Sequence, residues 1–77
     1  MPAKTTVHSA AVAARRALAA QHVELGRRII ERQRNIIANK KTAKLDVIFA
    51  EQLLTQFEIT QKIFEDDLAS LIKIGRL

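Results

Sequence analysis

The run VIFAEQLLTQFEITQKIFEDDLASL, residues 47–71, decides the fold. Within it Val47, Ala50, Leu54, Phe57, Gln61, Phe64, Leu68 and Leu71 are spaced 3, 4, 3, 4, 3, 4, 3. A helix of 3.6 residues per turn gathers such residues on one seam, whereas a strand, with its period of two, scatters them. The first half answers with Val12, Arg16, Ala19, Val23, Gly26, Ile30, Gln33 and Ile37, spaced 4, 3, 4, 3, 4, 3, 4. Two matching seams joined by one polar break predict an all-α, antiparallel two-helix hairpin of coiled-coil type. The same alignment sets Val23 beside Phe64, Gly26 beside Gln61 and Ile30 beside Phe57.

The chain has 77 residues, enough for one domain with a thin core. Below roughly 70–80 residues such a core supplies only about 3–5 kcal/mol unless disulfides, a metal or oligomerisation reinforce it. Cysteine is absent, which removes disulfides and thiolate metal sites, and oligomerisation remains. Hydrophobic residues make up 48%, too many for a disordered chain. Residues 1–5 read as a flexible tail and residues 6–77 as a single hairpin. Thr5, Thr6 and Ser9 offer N-caps for a first helix over about 6–39. Asn39 offers a left-handed C-cap, and the turn falls at about 40–45. Asp46 is the expected N-cap of a second helix over about 46–74, with Thr42 a competing start and Gly75 the stop.

Charge is divided between the halves. Residues 1–44 carry ten Lys/Arg against Glu24 and Glu31, a balance of +8, and residues 45–77 carry six acids against three bases, a balance of −3. With Ile30 and Leu54 at heptad position a, the e positions of the first helix are Arg27, Arg34 and Lys41. Those of the second are Glu51, Glu58 and Glu65. Antiparallel pairing sets e beside e, so the rows oppose each other with opposite sign. Glu24 and Glu31 are also spaced to pair with Arg27, Arg28 and Arg34 along the helix.

The other flank is apolar. Position g holds His22, Ile29 and Ile36 on the first helix and Leu53, Thr60, Asp67 and Ile74 on the second, with Leu18, Leu25, Phe49 and Ile63 at position c. A lone hairpin leaves this strip uncovered, and such a strip marks an interface. His22, Ile29, Ile36 and Leu53 are therefore the expected self-association residues, docking a second copy in a four-helix bundle.

No catalytic, cofactor-binding or metal-ligating set can be assembled from these residue types. His22 lacks the second histidine or carboxylate at ligand spacing that a metal needs, so a structural, hydrogen-bonded role is expected for it. Gln33 and Gln61 interrupt the seams, where buried polar residues fix register. Gly26, beside the Phe57 and Phe64 layers, is expected to make room for rings or for close helix approach. Glu65, Asp66 and Asp67 splay around a helix and do not converge on a cation. The remaining candidate is a nucleic-acid face made of Arg27, Arg28, Arg32, Arg34, Lys40 and Lys41. Against it, the chain has no Tyr or Trp for base stacking, and its three Phe belong to the seam or its edge.

Residues 22–33, His-Val-Glu-Leu-Gly-Arg-Arg-Ile-Ile-Glu-Arg-Gln, and residues 50–61, Ala-Glu-Gln-Leu-Leu-Thr-Gln-Phe-Glu-Ile-Thr-Gln, resemble a family of short alphaproteobacterial helical-hairpin proteins. The resemblance spans about residues 20–68 and implies a bacterial source. The family has no assigned function, so it transfers no residue role. Residues 1–20, free of acids and containing Arg15-Arg16, loosely resemble a transit peptide, but the Ala run reads equally as a strong helix start. No apolar run nears the ~20 residues of a membrane span, and cytoplasm is the expected location. Together these features predict a non-enzymatic protein acting by self-association, as a homodimer with room for a protein partner and with neither cofactor nor small-molecule substrate. The alternative is a basic hairpin dimer that binds RNA or DNA.

Overall fold

The computed structural model describes residues 2–75, with side chains from Ala10 onward. It holds two helices, α1 (Pro2–Thr42) and α2 (Ile48–Gly75), and no strand among the described residues. They pack antiparallel along the length of α2, in a rod of 65 × 15 × 14 Å. The all-α hairpin expected from the heptads is thus present.

The seam falls where the spacing puts it. Ala19, Ile30, Ile37 and Ala50 are buried, each at 8% exposure or less, and Gln33 and Gln61 join them at 7%. Val12, Val23, Gly26, Leu54, Phe57, Phe64, Leu68 and Leu71 are half-buried. Two cylinders touch along one line, so each helix shields only one stripe of the other. Accordingly, no large side chain among the described residues is fully enclosed.

Arg16 is the seam position that stays exposed. It faces the far end of α2, where a Cβ on Gly75 would lie 2.8 Å from its Nη1. A guanidinium there meets the negative end of the α2 dipole, which accounts for a cation on the seam. α1 continues N-terminally past this point without a partner helix among the described residues.

The element ends differ from the sequence expectation. α1 is helical from Pro2, so residues 2–5 are not a tail; proline at the start of a helix forfeits no hydrogen bond and already has a helical φ. At the other end Asn39 does not terminate α1. The helix continues through Thr42, whose hydroxyl donates to the Ala38 carbonyl at 3.0 Å, which also removes Thr42 as a start for α2. The left-handed residue is Lys44, with φ 60°. Around it the Lys44 amide donates to the Lys41 carbonyl at 3.0 Å and the Leu45 amide to the Lys40 carbonyl at 2.8 Å. This pair of bonds is a Schellman motif, with lysine where glycine is usual. Asp46 caps α2 as expected: its Oδ1 accepts from the Ile48 amide at 2.9 Å. Gly75, the expected stop, is itself still helical, so α2 extends past the expected end at about Ile74. No described helix is long and apolar enough to cross a membrane.

Candidate self-association flank

Two glutamines clamp the helices and set the flank's geometry. Gln33 Nε2 donates to the Ala50 carbonyl across the seam at 2.9 Å, and Gln61 Nε2 donates in the opposite sense to the Val23 carbonyl at 2.9 Å. Each carbonyl already serves its own helix, so the amides use the second lone pair. These reciprocal bonds fix the height of one helix against the other, the register role expected of both residues. Gly26 makes room, but not for phenylalanine rings. A Cβ there would collide with Oε1 of Gln61 and lie 2.9 Å from its Cδ.

On the g and c flank, Gly26, Phe57, Gln61 and Phe64 lie within an open groove of about 360 Å³. His22, Leu25, Ile29 and Thr60 complete its lining. A second depression of about 340 Å³ continues toward the open end, lined by Arg15, Leu18, Ala19, His22, Asp67 and Leu71. His22 is shared by both. Its ring packs against Phe64 at 5.3 Å between centroids, tilted by 36°. The expected hydrogen bond to His22 does not form among the described residues, because its neighbours on this flank are mainly ring and aliphatic carbon. Ile36 and Leu53 lie nearer the turn, half-buried.

The flank stays open along its length. Ile29 is 39% exposed, and Leu18, Leu25, Ile63 and Phe49 are exposed at 53% to 72%. Heptad spacing puts every one of these on this side. Ile48 and Ile59 are equally bare, at 63% and 53%, but stand apart on the outer side of α2 among Gln52, Thr55 and Lys62. Isolated aliphatics of that kind are ordinary surface.

The six candidate nucleic-acid cations do not form one face. Arg27, Arg34 and Lys41 occupy the e flank, Arg28 the outer side, Arg32 the apolar flank, and Lys40 the end of the seam. Four of them are engaged. Arg34 pairs with Glu58 at 3.2 Å and Lys41 with Glu51 at 3.7 Å, two of the three expected e-to-e pairs. Arg27 departs from the expected pairing with Glu65: it bonds Glu24 on its own helix, as does Arg28 at 3.3 Å. A partner one turn away on the same helix needs less side-chain ordering than one across the groove. The Arg27 hydrogen bond holds the Glu24 carboxyl below its ordinary range, and the charges of Arg27 and Arg28 add to this. On α2, Lys62 bonds Asp66 at 2.8 Å, and its pKa is raised by that bond and charge. Arg32 and Lys40 have no ion pair among the described residues.

Comparison with known protein families, curated proteins and solved structures finds no match to this chain. The resemblance carried by residues 22–33 and 50–61 therefore gains no relative from which a partner or activity could be read.

Proposed function

We propose that this hairpin is a non-enzymatic assembly unit of the cytoplasm that works by docking its apolar g and c flank onto a second copy, as a four-helix bundle. The observation that carries the reading is surface area. The chain exposes 6201 Å². A compact monomer of its mass would expose about 4,700 Å². The excess, about 1,500 Å², belongs to the rod as a whole, the overhang of α1 included, and a standard interface of ~800 Å² per partner would take up about half of it. The largest aliphatic and aromatic groups exposed on α1, and Phe49 and Ile63 on α2, lie on that flank. Their burial at about 25 cal/mol per Å² would reinforce a core too thin to hold alone.

The nucleic-acid reading has less support, since four of its six cations are engaged by carboxylates and the six point to several sides. Sedimentation equilibrium tests the proposal. The wild-type chain is expected to sediment as a dimer at micromolar concentration. Ile29→Glu with Ile36→Glu is expected to give monomers or an unfolded chain, because an unpaired carboxylate resists a dry interface. A folded wild-type monomer would overturn the reading.

A further inference from the structure

The self-association reading leaves open how the second copy lies, and the charges on the flank select one arrangement. Resting on that reading, we propose that the two hairpins pack side by side in the same direction, each α1 against the partner's α2, about a twofold axis running along the rod. A closed, self-complementary pairing of two such flanks has two solutions. In one the axis runs along the rod, so α1 meets the partner's α2. In the other it runs across the rod, so α1 meets the partner's α1 and α2 the partner's α2. Helix dipoles do not separate them, because every neighbouring pair of helices is antiparallel in both.

Charge does. The flank rows of α1 carry Arg15 and Arg32, with His22 between them, whereas the only charged residue in the flank rows of α2 is Asp67. The crossed arrangement sets the two arginine-bearing rows of α1 on their own copy and leaves Asp67 against the partner's α2, which has no cation in these rows. The side-by-side arrangement lays those α1 rows on the α2 rows, the one holding Asp67 included. It also alternates the basic half of one chain with the acidic half of the other, +8 against −3 over residues 1–44 and 45–77. These charges lie a turn or more apart, about a Debye length, so each pair contributes only a fraction of a kcal/mol and the preference is a sum over the two halves that weakens with salt.

Symmetry also sets the register. A twofold axis along the rod allows no sliding, so residues at one height in the hairpin meet at that height across the interface. Asp67 and His22 share one depression, and Ile29 and Thr60 share the other, which fixes those heights. Leu25 then faces the partner's Ile63, Ile36 faces the partner's Leu53, and Asp67 faces the partner's His22. Apolar groups meet apolar groups, and the lone acid of the row reaches the basic helix. The parts of α1 that outrun α2 come to lie together at one end.

The chain contains no cysteine, so a single label site is clean. Ala38→Cys, exposed on the outer side of α1 beside the turn, carries a nitroxide away from the flank. Electron–electron dipolar spectroscopy then reads the separation of the two turns, and sedimentation equilibrium on the same sample reads the mass. Side-by-side hairpins bring the turns within about 30 Å, two to three helix diameters. Crossed hairpins separate them by the length of α2, whose 28 residues span about 42 Å at 1.5 Å each. A short distance at dimer mass is the expected result. A long distance at dimer mass would overturn the arrangement and leave self-association standing. A monomer mass would remove both.

Discussion

Gln61 lies flat against Gly26: its Nε2 donates to the Val23 carbonyl at 2.9 Å, while its Oε1 fills the space a Cβ at position 26 would need. That oxygen is shut off from solvent without a hydrogen-bond partner. The helices approach closely here because one has no side chain, and the other fills the notch with a group it only half satisfies.

Gly26→Ala is therefore expected to change sign with its background. In the wild type the methyl evicts Gln61, and the net cost is about 1 kcal/mol after a helix-propensity gain of similar size. In a Gln61→Ala background the same substitution should stabilise by about 0.5–1 kcal/mol, because only the propensity gain remains. A double-mutant cycle by urea denaturation reads the coupling; additive effects would mean the two residues do not share that space.

Replacing both glutamines tests whether the clamp sets register or stability. Gln33→Leu with Gln61→Leu removes two interhelical hydrogen bonds and one unsatisfied acceptor. Thermal melting is expected to be unchanged or higher, while heteronuclear NMR shows more than one set of amide signals as the seam slips. One sharp set of signals would deny the glutamines a register role.

The loop offers a stabilising change. Lys44 holds the left-handed position of the Schellman motif at φ 60°, a conformation costing an L-residue roughly 1 kcal/mol that glycine escapes. Lys44→Gly should raise stability by about 0.5–1 kcal/mol in calorimetry. A loss would show that the lysine side chain contributes more than its backbone strain costs.

The ion pairs should not behave alike. Arg34→Glu with Glu58→Lys is expected to show a favourable coupling of up to about 1 kcal/mol, which shrinks in high salt. Arg27→Glu with Glu65→Lys should show none, since Arg27 is committed to Glu24. Equal coupling in both cycles would mean that Arg27 crosses the groove in solution.

Acid should loosen the middle of α1 through Glu24. Its carboxyl is held below the ordinary value, so the contribution is present above that value and disappears as pH falls through the depressed one. Glu24→Gln should flatten the part of the acid-side decline in helical circular dichroism that lies below the ordinary carboxylate range. An identical pH profile for the variant would remove Glu24 as a contributor. The effect is expected to be small, because the carboxylate is half open to solvent, which screens its partners.

The sequence by itself determined the hairpin, its seam, the layer that joins Gly26 to Gln61, and the flank left bare. Each comes from heptad spacing, which converts position in the chain directly into position around a helix. Spacing cannot say how a side chain uses the room it is given. Only the packed helices decided that Gly26 accommodates an amide rather than a ring, that the Arg16 guanidinium lies at the end of α2, and that Arg27 turns to Glu24 instead of crossing to Glu65. The end of α1 differs from its sequence expectation for the same reason. Asn39 has the right chemistry for a left-handed cap, but the seam continues one more turn to Lys40, and the carbonyls of Lys40 and Lys41 close the motif around Lys44. Local propensity proposes a stop at Asn39; the antiparallel partner, by fixing how far α1 must reach before the chain can return, puts it at Lys44.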